Sequence, residues 1–324
     1  MKNDSQEIFL KKYREEKPMF QAWGDYVQKY ICEKLKEMNE DLSKIIKIQS
    51  SPRVKAEDSI IAKAFFRKNY DDAYEQITDK VGIRFVVMVT KQIEIIKNIV
   101  EESDLWDYSK DQDYEEAIEK HPDLFSYQSV HYIVRNRHNI TENKITIREG
   151  TPCEIQIRTL EQHAYAELSH DYVYKQEEKV NSCTRRNMAR SMALNETADE
   201  LFSRVYDMVE HEKEKYSQLR NFLRSKINFA NYNEKIDQSI YECLKPMLEK
   251  YGINEETVTG FLNDYYIDKI NKRQGKILYQ QPMIIMLYLL ARDHAAELQE
   301  KWCFTQDMLS MVFSDLGMNS EDDY

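Results

Sequence analysis

The 324-residue sequence predicts an α+β fold: a small mixed β-sheet flanked by helices, followed by an all-α C-terminal region. Three observations carry that prediction. The run VGIRFVVMV (81–89) is rich in β-branched residues and bounded by polar ones, the composition of a buried strand. Helix-like segments on either side of it precede a series of strand-like runs, an order that suits a sheet with helices on it. Between Cys153 and Lys245 the chain has neither glycine nor proline. So long a stretch without backbone punctuators reads as helix.

Taken in order, residues 5–47 form one or two amphipathic helices. Phe9, Tyr13, Met19, Trp23, Val27 and Ile31 recur among charged residues, with Pro18 and Gly24 as places where the helix can divide. A break at IQSSPR (48–53) precedes a helix over roughly 55–69. After the strand at 81–89 comes a helix near 91–102, then an acidic segment, 104–123, that reads as a loop or short helix. SVHYIVRN (129–136), KITIRE (144–149) and PCEIQIRT (152–159) are three further strands. From Leu160 the pattern is helical. Residues 187–227 suit one long helix, and a further helical set after Asn228 is punctuated by Pro246, Gly252, Gly260, Gly275 and Pro282. The domain reading is therefore 1–50 for the N-terminal helices, 51–180 for the α+β domain, 181–227 for the long helix, and 228–324 for a helical domain of unassigned role.

Hydrophobic residues at 42% and charged residues at 32% supply a core and argue against global disorder. The N-terminus lacks the apolar segment of a signal peptide. The longest apolar run, PMIIMLYLLA (282–291), is about half of the ~20 residues a membrane span needs. Five scattered cysteines disfavour a disulfide framework or a zinc site. The expectation is a soluble cytoplasmic protein with no membrane partner. A net charge of −11 argues against nonspecific binding along a nucleic-acid backbone, but leaves room for a locally basic pocket that takes an anionic substrate.

Four segments carry chemistry. In RVKAEDSIIAK, Lys55, Ser59 and Lys63 at i, i+4, i+8 make one helical stripe, with Arg53 at or before the helix start. Two cations and a hydroxyl on one face can hold a polyphosphate; alone, the stripe reads more readily as a solvated helix face. In ITDKVGIRF, Asp79 precedes the buried strand, where a hard-oxygen ligand suits Mg²⁺, and Arg84 lies within it. Alone, these read as a turn aspartate and a solvent-facing arginine. In CEIQIRT, Glu154, Gln156 and Arg158 share one strand face, the ordinary pattern of a half-buried strand. Were Glu154 and Asp79 on neighbouring strands, they could share a metal while one activates a hydroxyl. SYQSVHY supplies Tyr127, Ser129 and His131; the tyrosine suits stacking on a nucleobase about as well as packing at a strand end. Downstream, His163, Glu167, His170 and Lys175 lie on a helix, a pattern that needs no ligand. HExxH, GxxxxGK[ST] and GxGxxG are all absent from the sequence, so zincin, Walker-type and Rossmann chemistries lack support.

The order and spacing of RVKAEDSIIAK, ITDKVGIR, SYQSVHY, EIQIRT and HAYAELSHDYVYK resemble the synthetase domain of the RelA/SpoT alarmone family over about residues 45–180. The resemblance implies a nucleotidyltransferase-like fold. It further implies Mg²⁺-dependent transfer of pyrophosphate from ATP to the ribose 3′-hydroxyl of GDP or GTP, with release of AMP. By the same resemblance Arg53, Lys55, Ser59, Lys63 and Arg84 hold ATP. Asp79 binds Mg²⁺, with Glu154 as second ligand or as base. Tyr127, Ser129, His131, Gln156, Arg158 and His170 line the acceptor side. The family's N-G-Y acceptor loop is Phe125-Ser126-Tyr127 here, which leaves an adenine nucleotide or the 3′ end of tRNA as alternative acceptors. Arg135, Arg137, His138, Lys179, Arg185, Arg186 and Arg190 could form a basic track for the latter. A catalytically inactive nucleotide sensor is a further alternative. The residues after Ile227 lie outside the resemblance; a subdomain or homo-oligomer contact is expected of them, with a regulatory module as the other reading.

Overall fold

A computed structural model describes residues 2–38, 41–49, 51–67, 70–121, 123–125, 129–170 and 181–318. Helix α1 (Lys2–Glu37) runs through both Pro18 and Gly24. The glycine is there for contact rather than for a break. A Cβ at position 24 would lie 2.7 Å from Pro52 Cβ and 2.8 Å from Val81 Cγ2. A one-turn helix, α2 (Leu42–Ile45), leads to strands β1 (Ile46–Gln49) and β2 (Arg53–Val54), where the sequence suggests only a break.

The expected helix at 55–69 is shorter: α3 covers Glu57–Ala62 and gives way to a π-helical turn, Lys63–Arg67. After α4 (Ala73–Gln76) come β3 (Val81–Val87) and α5 (Thr90–Glu101). The acidic stretch 104–123 holds a strand that its composition hides, β4 (Trp106–Gln112), followed by α6 (Tyr114–Lys120) capped by Asp113. β4 lies at the sheet edge, where polar and charged side chains are tolerated and alternation of hydrophobicity is lost.

β5 (Val130–Asn136) and β8 (Pro152–Thr159) complete the main sheet. The expected strand at 144–149 narrows to β7 (Ile145–Ile147), which pairs with β6 (Ile140–Glu142) in a separate hairpin. Its two-residue turn, Asn143-Lys144, has positive φ at both positions. The main sheet runs β1-β3-β8-β5-β4, with β2 also on β3. β3 and β8 are parallel and the other pairs antiparallel. One face is apolar: Val81, Ile83, Phe85, Val130, Tyr132, Ile155 and Ile157 bury against Trp23, Val27 and Ile31 of α1 and Ile93 and Ile96 of α5. The opposite face carries Arg84, His131, Glu154, Gln156 and Arg158 together with buried Val86 and Ile133, and α7 (Leu160–Ser169) follows β8 directly, its start capped by Thr159.

α8 (Ser182–Lys226) is the long helix the sequence suggests. The chain divides into two compact units at Tyr206/Asp207. The second unit continues with α9 (Glu234–Lys250), α10 (Glu255–Phe261), α11 (Asp264–Lys272), α12 (Ile284–Asp293), α13 (Ala295–Lys301) and α14 (Gln306–Leu316). The apolar run at 282–291 is its central helix, buried along its whole length among Leu244, Met247, Val258, Leu309 and Val312. Among the described residues no helix is long and apolar enough to cross a membrane.

Candidate active site

The polar face is assembled by register. On β3, Gly82 stands opposite Glu154 and Arg84 opposite Gln156; on the other side of β8, His131 stands opposite Gln156. Because side chains alternate, these residues and Arg158 share the face that the apolar core leaves. Asp79 lies two positions before β3, whose Gly82 stands opposite Glu154, so it is off the strand itself.

Asp79 is reached from two directions. Lys55 Nζ lies 2.5 Å and Lys63 Nζ 2.8 Å from the same oxygen, Oδ2. The two lysines do not share a helical stripe. Lys55 lies between β2 and the extended Ala56 cap of α3, outside the helix, its N–H donated to the Lys80 carbonyl at 2.9 Å. The Tyr13 hydroxyl of α1 donates to the Lys55 carbonyl at 2.6 Å, fixing the segment from the other side. Lys63 opens the π-helical turn at the end of α3, a geometry often found at functional sites. The start of α3 is held by Glu57, which receives Arg14 and Lys17 of α1, both at 2.7 Å. Burial pushes the Asp79 carboxyl up, but the Lys55 ammonium and then Lys63 outweigh it and hold the group below the usual carboxylate range. Its other oxygen, Oδ1, is buried and has no hydrogen-bond partner among the described residues.

Next along the chain, Lys80 is buried, its ammonium donating to the Ile77 carbonyl at 2.8 Å and facing the Tyr74 ring. Burial brings its pKa down to about 8.

Glu154 accepts from the Gln156 amide at 2.9 Å and lies 3.5 Å from His131 Nδ1. Gly82 leaves the space above it open, since even a Cβ there would stop 3.6 Å from Glu154 Oε2. Further up the strands, one oxygen of Glu167 on α7 receives Arg84 at 3.0 Å and Arg158 at 3.2 Å, with His163 Nδ1 at 3.6 Å. Burial first, then the two guanidiniums, lowers the His163 pKa below the usual imidazole value.

Two groups result: Lys55 and Lys63 on Asp79 before β3, and Arg84, His131, Glu154, Gln156 and Arg158 on the face of β3, β8 and β5. Arg53 is exposed on β2 opposite Gly82, and Ser59 is exposed on α3. Ser129 is buried just before β5, its hydroxyl without a partner among the described residues, and His170 is exposed at the end of α7. Tyr127, Lys175 and Lys179 lie outside the described residues. Glu167 and Tyr13 are the residues whose importance sequence reading missed. Glu167 reads as half of an ordinary helical pair and Tyr13 as one position of an apolar stripe; no local signal marks Arg84 or Lys55, the partners far along the chain.

Residues 52–179 match the family model described as a region found in RelA/SpoT proteins. No curated protein matches the chain. Among solved structures, a GTP pyrophosphokinase family protein from Streptococcus pneumoniae is 21% identical, with 63% of this chain and 96% of that one covered at a TM-score of 0.50. A protein from Streptococcus mutans is 20% identical, covering 62% of this chain and 98% of that one, also at 0.50. Small alarmone synthetase 1 from Bacillus subtilis, bound to its product pppGpp, is 23% identical, covering 64% and 99% at 0.48. At such identities the first two likenesses speak for the fold. Residues 52–179 are thus similar to the region found in RelA/SpoT proteins, and the mixed α+β fold is one that these structures share.

Proposed function

We propose that this region is a pyrophosphokinase that moves the β,γ-pyrophosphoryl group of ATP to the 3′-hydroxyl of GDP or GTP. The observation that carries the reading is the convergence of Lys55 and Lys63 on Asp79 beside the parallel strand pair that bears Glu154, all within the matched region. A fold neighbour described as a GTP pyrophosphokinase family protein supports it.

Mg²⁺ fits Asp79, whose unpartnered Oδ1 is a hard oxygen donor, with Glu154 as the second carboxylate. No group of three or more acidic, His or Cys side chains could hold a metal among the described residues, so substrate phosphates would complete the ligand set. Bound there, the ion would supply screening of polyphosphate charge and a lower pKa for a nearby hydroxyl. Lys55 and Lys63 bring two positive charges to the polyphosphate. Arg84 adds a third once it leaves Glu167; that pair is half exposed, and such pairs hold only ~0–1 kcal/mol. Glu154, oriented by Gln156 and His131, takes the 3′-hydroxyl proton as the ribose oxygen bonds to the β-phosphorus and the α,β-bridging oxygen departs with AMP.

The test supplies ATP labelled in its β- and γ-phosphates with GDP, GTP, ADP or bulk tRNA in separate tubes, with and without Mg²⁺. Label in a guanosine tetra- or pentaphosphate is expected. Label in tRNA or an adenosine product would replace the acceptor. Binding of ATP with no AMP released in any tube would make the region a sensor.

A further inference from the structure

The helical unit brings together two cysteines that stand 60 positions apart. Cys243 is on α9; Cys303 lies in the four-residue link, Trp302–Thr305, between α13 and α14. The Cys303 N–H donates to Cys243 Sγ at 3.1 Å. Both thiols also reach the same acceptor, the Lys301 carbonyl, at 3.8 Å from Cys243 and 3.4 Å from Cys303. The elements that carry them are clamped independently of sulfur. Glu297 on α13 receives Lys250 at the end of α9 at 2.6 Å, Lys301 at 2.5 Å, and the Tyr251 hydroxyl. The Tyr251 ring stacks on His294 at 3.4 Å.

The two thiols differ in access. Cys303 is exposed, whereas Cys243 is half-buried, and burial followed by the neighbouring Cys303 thiol raises its pKa to about 12. Trp302 is buried and its indole N–H donates to the Thr305 carbonyl at 3.0 Å, so the link is anchored around an outward-facing Cys303.

We propose that Cys243 and Cys303 are a dithiol–disulfide couple, a modification site that low-molecular-weight disulfides such as oxidised glutathione close. The exposed Cys303, as thiolate, attacks one sulfur of the oxidant; a Cys303–glutathione bond forms and one glutathione thiolate leaves. Cys243 then gives up its proton and attacks Cys303 Sγ, forming the Cys243–Cys303 bond and expelling the second glutathione. Two protein thiols are oxidised, one disulfide is reduced, and the two thiol protons end on the two glutathiones. The product ties α9 to the α13–α14 link across 60 positions, a loop long enough for strong stabilisation.

The experiment takes the reduced full-length chain through stepped ratios of oxidised to reduced glutathione, quenches with acid, and reads intact mass, alkylation under denaturing conditions and cross-linked peptides. Expected is a product lighter by two hydrogens, with two cysteines protected and the 243- and 303-containing peptides joined. Its melting midpoint should rise by roughly 5 °C or more, a rise reversed by reductant. Cys243→Ser should instead stop at one glutathione on Cys303, and Cys303→Ser should lose the rapid reaction. A wild-type chain that keeps a stable Cys303–glutathione adduct with Cys243 still alkylatable would overturn the proposal, as would a disulfide made through Cys183.

Discussion

Asp79 sits where two ammoniums meet one carboxylate oxygen, and its replacement separates charge from chemistry. Asp79→Asn should cut AMP release at least ~100-fold, measured by single-turnover release of labelled AMP, while circular dichroism stays that of the parent. Near-parental turnover in this variant, or in Glu154→Gln, would refute the assigned mechanism. A second aspartate behaves oppositely. Asp199 on α8 is buried and accepts from the Thr159 hydroxyl at 2.8 Å; burial first, then the charges of Glu161 and Glu196, raise its pKa to about 7. A carboxyl raised above its unfolded value of 3.8 favours the folded state when protonated. Its contribution is full below about pH 4 and is lost as pH rises through about 7. Asp199→Asn keeps the acceptor and removes the titration. Its thermal midpoint should therefore gain on the parent's between pH 5 and pH 8, and parallel pH profiles for the two would exclude this. Gly24 makes a steric prediction. Gly24→Ala meets Pro52 and Val81 below 3 Å, and urea unfolding should show a loss of about 1–3 kcal/mol.

At the scale of elements, one junction serves both the sheet and the site. Thr159 ends β8, caps α7 through the Gln162 N–H at 3.1 Å, and donates to Asp199. Thr159→Val keeps the shape but removes both bonds, so a loss of about 2 kcal/mol is expected from chemical denaturation. Because α7 carries Glu167, the same variant should also change KM for ATP, under the proposed function, more than it changes kcat. A change in kcat alone would disconnect α7 from substrate binding. The π-helical turn and the extended Lys55 segment show why periodicity misled at 55–69. The i, i+4, i+8 spacing is real, yet Lys55 stands before the extended Ala56 cap of α3 and so outside the helix. The lysines still meet, through an aspartate 24 residues from Lys55 rather than along a helix face.

For the whole molecule, the two units each hold a separate buried core, one built on the sheet and α1, the other on α12. A chain ending at Tyr206 keeps every described residue of the first core. It should unfold cooperatively in urea with Trp23 and Trp106 as reporters, Trp302 being gone. A gradual, uncooperative transition would show that the sheet unit does not stand alone. The long apolar run at 282–291 illustrates the same division. Its composition leaves its partners unnamed, and the helical unit supplies them internally, from α9, α10 and α14.

By themselves, the residues determined the α+β class, the buried strand at 81–89, the long helix, and the order of segments that resembles RelA/SpoT synthetases. These are local properties: β-branched runs, missing glycine and proline, and the i, i+2 alternation that puts Glu154, Gln156 and Arg158 on one face. Tertiary structure decided what depends on pairing across the chain. The polar β4 became an ordered edge strand because β5 provides its hydrogen bonds, which composition cannot announce. Glu154 came to stand opposite Gly82, three positions after Asp79, because β3 and β8 pair in parallel at a register that only the packed sheet sets. Glu167 and Tyr13 gained their roles from partners 83 and 42 positions away, and Cys243 from one 60 positions away. Contacts at such separations form only when the apolar faces they flank are buried together, and no window along the sequence contains both ends.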